Sequence, residues 1–326
     1  MNFLQTLFKP KSPLFSEIEP YNKGWLDVGD GHKIYYEESG NPNGVPVVGC
    51  HGGPGAASKP KHRRLFNPLK YRIILFDQRG CGQSMFEDQF TANTTQHLVA
   101  DMAALRAHLG IDAWHIFGGS WGSALALTYA QTWPKSVKSL VIHGVFLATK
   151  GELAWLYEQN GAERFFLDVF VGYKAHLPAA EQKNILASYI KQILTPPSAA
   201  RKAAALAYSS WELNLLGIQP NRAEIAEILA PDGFDDSHTL MSLHYCQQAH
   251  FLTEGQILRD MDKIKHLPLS IVQGRYDMVC PPASAWAVHK AMPHSSLVFA
   301  PMAGHSSSDV GMAEALVEAT ERHAAL

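Results

Sequence analysis

Apolar residues fall into two regimes along this chain. Up to residue 148, and again after residue 260, they gather in short, nearly continuous runs. The main ones are Pro46-Val47-Val48-Gly49-Cys50, Tyr71-Arg72-Ile73-Ile74-Leu75-Phe76, His115-Ile116-Phe117, Leu140-Val141-Ile142, Leu269-Ser270-Ile271-Val272 and Leu297-Val298-Phe299. Runs without polar alternation predict strands covered by helices on both faces. Pro46 fits only as the first residue of its strand, because it cannot donate to the ladder. Nearer the start, Gly24 to Val28 and Lys33 to Glu37 flank Gly29-Asp30-Gly31-His32 and predict a hairpin. Helical stretches lie between the runs, notably Thr95 to Leu109 and Pro282 to Ala291. The expected fold class is α/β, a mostly parallel, doubly wound sheet.

Between about Thr149 and Arg259 the strand-like runs vanish. Helical stretches rich in Ala, Leu, Tyr and Trp replace them, with Thr195-Pro196-Pro197-Ser198 and Pro231-Asp232-Gly233 as loops. This reads as a helical cap, 149–259, inserted between the sixth and seventh main strands of a core formed by 1–148 and 260–326. Such a cap would lie over the strand C-termini, where open α/β sheets bind ligands.

Composition narrows the function classes. The 326 residues are 46% hydrophobic, enough to fill a large interior, and the net charge of −2 leaves no footprint for nucleic acid. Lys61-His62-Arg63-Arg64 is the only compact basic cluster and reads as a solvated face. No stretch nears the roughly 20 apolar residues that span a bilayer. The segment Met1 to Lys9 is too short for a signal peptide. Four scattered cysteines, Cys50, Cys81, Cys246 and Cys280, lack metal spacing and fit free thiols in a reducing cytosol. A cytoplasmic protein is expected, without metal, cofactor, nucleic-acid partner or membrane contact. The oligomeric state is left open.

The chemistry centres on Gly118-Gly119-Ser120-Trp121-Gly122, a Gly-x-Ser-x-Gly motif. It follows the β-prone Trp114 to Phe117 and precedes the helix-competent Ser123 to Ala130, which is the setting of an α/β-hydrolase nucleophile elbow. In that fold the acid and then the base follow the serine in chain order. Leu269 to Asp277 is a strand running into a loop that ends in an acid, and Leu297 to His305 repeats the arrangement with a histidine. Ser120, Asp277 and His305 are therefore the expected nucleophile, acid and base. Asp260 and Asp262 precede the strand, and Asp309 lies beyond the base. His289, His294 and His323 read as surface residues.

His51-Gly52-Gly53-Pro54-Gly55 follows the strand that ends at Cys50, and its glycines let backbone amides approach a substrate. Gly53 and Trp121 are the expected oxyanion donors, with Gly52 against the substrate and His51 bracing the loop. Asp77 to Ser84 follows the next strand, where Asp77 and Arg79 are expected to pair and support the site. Cys81 and Cys280 lie in loops expected near the serine.

Taken together, His51 to Gly55, Asp77 to Ser84, Gly118 to Ser123 and Gly274-Arg275-Tyr276-Asp277-Met278-Val279-Cys280-Pro281 resemble the proline iminopeptidase family of serine peptidases. The resemblance runs from Ile18-Glu19-Pro20-Tyr21 to Ala315 through Thr320. It implies release of an N-terminal proline from peptides, with Ser120, Asp277 and His305 as the triad. It also implies cap carboxylates that hold the free imino group. One maps onto Glu212 beside Trp211. The second falls on Gln248, a departure that removes a charge, with Glu254 as a nearby substitute. Phe146, Trp155, Tyr157 and Trp211 are expected to line an apolar slot for the ring. The alternative is an esterase or lactonase with the same triad acting on an uncharged substrate. A non-catalytic binding protein fits less well, because it has no need of all three triad residues.

Overall fold

The structure is a computed structural model that describes residues 13–326; Met1 to Lys9, read above for a signal peptide, lies outside the described residues. Its centre is a nine-stranded sheet. β1 (Asn22–Gly29) and β2 (His32–Gly40) form the expected hairpin. β3 (Val45–Cys50), β4 (Tyr71–Phe76), the two-residue β5 (Met85–Phe86), β6 (Trp114–Gly119), β7 (Val137–His143), β8 (Leu269–Gly274) and β9 (Ser296–Ala300) follow. The order is β1-β2-β4-β3-β6-β7-β8-β9, with β5 paired to β2. From β4 to β9 every pairing is parallel, and β2 runs antiparallel to its neighbours.

The apolar runs are explained by two covered faces. Alternate side chains of one strand enter different cores: Val48, Ile74, Ile116, Ile142 and Ile271 on one side, Val47, Ile73, Phe117, Val141 and Val272 on the other. α1 (Thr95–His108) and α2 (Trp121–Thr132) cover the first face through residues such as Leu98, Met102, Leu125 and Ala126. The Thr94 hydroxyl caps α1 by accepting from the His97 amide at 3.3 Å.

The segment after β7 forms α3 (Lys150–Tyr157), α4 (Leu167–Ala175), α5 (Ile185–Ile193), α6 (Ala199–Leu215), α7 (Arg222–Ile228) and α8 (Ser237–Gln247). All of these helices but α7 close around their own core, built largely of aromatic rings. Tyr173 stacks on Tyr189 at 4.6 Å and on Trp211 at 5.5 Å. Three contacts fasten this layer over the strand C-termini. The buried Glu152 carboxylate accepts from the Leu147 and Thr149 amides and from Ser284 Oγ. Trp155 Nε1 donates to the Met278 carbonyl at 2.8 Å. Met241 and Tyr245 of α8 reach into the sheet core. The helical turn Gln256–Arg259 packs on that core as well: Ile257 belongs to it, and its carbonyl accepts from Gln131 Nε2.

α9 (Pro282–Ala291) lies on the face of α1, while α10 (Met312–His323) covers the other face through Met312, Leu316 and Ala319. His323 is not a surface residue. Its ring is buried between Ser139 Oγ and Ser270 Oγ, at 2.5 and 2.8 Å, because α10 folds back onto β7 and β8.

Candidate active site

β3 and β6 are neighbours, but the chain after β3 steps to β4 on one side while β6 lies on the other. Their C-termini therefore border the crevice that such a reversal opens. Ser120 stands at the end of β6, just before α2, with φ 57° and ψ −129°. This is a sparsely populated region for a residue with a Cβ, and such strain concentrates at functional sites. The motif glycines make the turn possible. A Cβ on Gly118 would run into the Gly122 carbonyl, and one on Gly122 would run into the Cys50 carbonyl. The elbow is thus wedged against β3, and Ser120 stays partly exposed.

Asp277 and His305 leave β8 and β9 at the same edge, as expected. The Asp277 side chain is fully buried and beside His305, whose Nδ1–H donates to its two oxygens at 2.9 and 3.0 Å. The backbone amides of Val279 and Cys280 and the side-chain Nε2 of Gln273 also donate to that carboxylate. This fixes the imidazole tautomer and leaves Nε2 free for proton transfer. Burial opposes charging of the His305 ring, but Asp277 and, less strongly, Asp309 more than offset it, so its pKa is raised. Ser120 and His305 line one cavity together.

Gly52 packs against Ser120: a Cβ there would lie 3.2 Å from the Ser120 Cβ and 3.7 Å from Oγ. Gly53 lines the cleft on the other side of Ser120. Among the described residues, no hydrogen bond uses the Gly53 or Trp121 amide. His51 ties the loop down. Its Nδ1–H donates to the Gly52 carbonyl, and Nε2 accepts from the Gln78 amide at 3.0 Å. Gln78 in turn donates to the His51 carbonyl and accepts from Trp121 Nε1 at 2.8 Å. Burial lowers the His51 pKa, consistent with a neutral brace. Gln78 thus links the His51–Gly55 loop to the Trp121 side chain, a role the sequence did not reveal.

Asp77 and Arg79 do not pair with each other. Asp77 accepts from the Ser58 and Gln83 amides at 2.7 and 2.8 Å, which pins the glycine loop. Arg79 turns away to a two-point contact with buried Asp101 at 2.7 and 2.8 Å, and also reaches Asp30. Asp101 comes from α1, so the better partner was distant in sequence.

A narrow cleft on the cap side of Ser120 has Phe146, Leu153, Leu156, Tyr157 and Val279 in its walls and one carboxylate, Glu212. The Tyr157 hydroxyl donates to Glu212 Oε1 at 2.7 Å, and His238 Nδ1 lies 4.0 Å from Oε2. Burial and then the Glu212 charge push the Tyr157 pKa well up, so the phenol stays a donor. Cys246 and Cys280 also line the cleft. Burial, followed by Asp277 and Glu152, keeps the Cys280 thiol protonated. Cys81 is buried in the sheet core instead.

Four cap expectations need correction. Trp211 is wholly inside the cap core, with Nε1 donating to the Leu156 carbonyl; the next residue, turned about 100° around the helix, is the one that reaches the cleft. Trp155 serves as the fastener to Met278. Gln248 is exposed at the end of α8. Ser242 and Cys246 form the cleft-facing i, i+4 row, and Gln248, two residues on, falls outside it. Glu254 is exposed and accepts from the Lys150 amide. His250, by contrast, lines the cleft. It sits in a run of three left-handed residues, 249–251, and packs on Trp121 at 5.4 Å. Burial lowers its pKa to about 3.

A family model described as alpha/beta hydrolase fold matches residues 45–311. A probable proline iminopeptidase from Leptolyngbya boryana is 44% identical over 96% of this chain and 97% of its own length. Proline iminopeptidases from Xylella fastidiosa (strain Temecula1) and Arabidopsis thaliana are 44% and 41% identical, covering 94% and 98% of this chain and 98% and 84% of theirs. Among solved structures, the metagenomic α/β hydrolase MGS-M2 and the esterase RhEst1 from Rhodococcus sp. ECU1013 superpose with TM-scores of 0.63. They cover 92% and 93% of this chain, and the alignments take in 97% and 99% of their own chains. At 20% and 19% identity they share the fold alone.

Proposed function

Because the chain belongs to the proline iminopeptidase family of α/β-hydrolases, we propose that it is a serine exopeptidase that releases N-terminal residues, preferably proline, from peptides. The observation that carries this reading is Glu212. Among the described residues it is the only carboxylate in a mostly apolar cleft that reaches Ser120. A protonated imino terminus entering a partly dry space needs a charged partner, and the apolar walls suit a pyrrolidine ring.

In the proposed reaction, Ser120 Oγ attacks the carbonyl carbon of the first residue while His305 Nε2 takes the hydroxyl proton. The oxyanion accepts hydrogen bonds from the Gly53 and Trp121 amides. Collapse breaks the C–N bond, and the imidazolium gives its proton to the departing amine. Water then attacks the acyl-enzyme with His305 again as base, releasing the free amino acid and restoring Ser120. Asp277 holds the ring and stabilises its charged form without taking the proton. Among the described residues no helix is long and apolar enough to cross a membrane. The four free cysteines are all buried, and they support a cytoplasmic location.

The test is cleavage of a free prolyl amide beside its N-acetylated counterpart. Cleavage of the free form, with loss of at least about a hundredfold in kcat/KM on acetylation, is expected. One charge-assisted contact at the upper end of about 1.5–3 kcal/mol would account for it. Equal cleavage of the blocked substrate would favour the esterase reading.

A further inference from the structure

The basic cluster near the start is divided by the fold. Arg63 is buried in a two-point pair with Glu37 at 2.7 and 2.9 Å, and Arg64 donates to the Phe15 carbonyl. Arg63 is therefore not a solvated charge, while Arg64 stays partly exposed. Lys59 and Lys61 behave differently: among the described residues, neither enters an ion pair. Together with His62 they line a cavity of about 260 Å³ that also contains Ser120, Gly52 and His305. This is a different space from the Glu212 cleft, and Ser120 is where the two meet.

His305 lines the basic cavity and not the acidic cleft. As the acid that protonates the departing amine, it places the leaving group on its own side of Ser120. The residues downstream of the scissile bond therefore enter a space edged by cations. The anions near it are already engaged or distant. Asp309 accepts from the Gly304 amide at 2.6 Å. Glu224 interacts with Lys61 but lies beyond ion-pair distance. His62 Nδ1 accepts from the Lys59 amide at 3.1 Å, so the ring proton sits on Nε2. That donor has no partner among the described residues. Burial, with Lys61, His51 and Lys59, lowers the His62 pKa to about 4, so the ring is neutral at pH 7. Leu216 at the end of α6 forms part of the far wall, and the Ser306 amide donates to its carbonyl at 2.8 Å.

We propose that this cavity binds the free α-carboxylate of the leaving portion through Lys59, Lys61 and His62 Nε2, which makes the protein selective for short peptides, dipeptides and tripeptides above all. The proposal rests on the aminopeptidase reading and adds the length and end-group of its substrate. One residue spans at most about 3.3–3.6 Å. A carboxylate one or two residues beyond the scissile bond stays inside the cavity, whereas that of a longer peptide is carried past the lysines.

The experiment compares kcat/KM for Pro-Ala and Pro-Ala-Ala as free acids with the same peptides as C-terminal amides. It is run at low and high salt, in the unmodified protein and in a Lys59→Met/Lys61→Met variant checked for an unchanged Tm. The free acids should be preferred by about tenfold or more, as expected for a charge-assisted contact. The preference should shrink with salt and fall toward one in the double variant. Equal rates for acid and amide would overturn the proposal, as would a preference that survives the double substitution. Cleavage of the amides at full rate in that case would leave the aminopeptidase reading standing. Failure to cleave any prolyl substrate would overturn both.

Discussion

The two spaces that meet at Ser120 differ in the charge they carry. The cap-side cleft is narrow, apolar and carries one acid, Glu212. The other is edged by Lys59, Lys61 and His62 and contains His305. A peptide has a cation at one end and an anion at the other, so opposite charges on either side of a nucleophile give the substrate a direction. The difference also separates the tasks. On the proposed reading, one side selects the first residue and the other receives what departs. The triad stands between them and belongs to the sheet, not to the cap.

The comparison breaks most completely if the shared point is removed. Ser120→Ala should lower turnover by on the order of 10⁴–10⁶ while both spaces keep their shape. Single-turnover and steady-state assays on pure protein would check this. Retention of a tenth of the activity would mean that Ser120 is not the nucleophile.

The next largest effect is expected at Asp277. Its replacement by Asn leaves the shape but removes the charge and favours the wrong imidazole tautomer, with a loss of about 10⁴ in kcat. The pH profile sharpens the point. His305 must be neutral to accept the serine proton, so kcat/KM falls as pH drops through its pKa. With that pKa raised by Asp277 against burial, the acidic limb should lie above the ordinary imidazole value of about 6.5. In Asp277→Asn burial remains without the compensating charge, and the limb should move to lower pH. A limb that stays in place would contradict the pairing.

The sheet side of the site was legible in the sequence for a local reason. Ser120, Asp277 and His305 each follow an apolar strand run, and parallel strands deliver such residues to one edge whatever the rest of the chain does. His51 and the glycines of its loop were readable on the same grounds. Arg79 was not, since its partner Asp101 is 22 residues away on α1. The cap resisted for another reason. Which face of a helix meets the cleft depends on its rotation in an aromatic cluster that no short window displays. Trp211 and Glu212 are adjacent, yet one fills that cluster and the other reaches the cleft. The same rotation puts Cys246 at the cleft and Gln248 outside the row. Tyr157, which holds Glu212, was expected only as an apolar wall. Lys59 and Lys61 are exposed, but the cavity they edge is closed in part by residues from α6 and the His305 loop, which no short window displays.

The central claim is that Glu212 recognises a charged terminus. It is tested most directly by kcat/KM for a free prolyl amide and for an uncharged ester of similar size, in the unmodified protein and in Glu212→Gln. Glutamine preserves shape and can still accept from Tyr157, so the cleft should persist. Loss of one charge-assisted contact costs about 1.5–3 kcal/mol. The account predicts roughly a ten- to hundredfold loss for the amide with little change for the ester. Equal losses on both substrates would mean that the carboxylate supports the cap through Tyr157 and does not select the substrate.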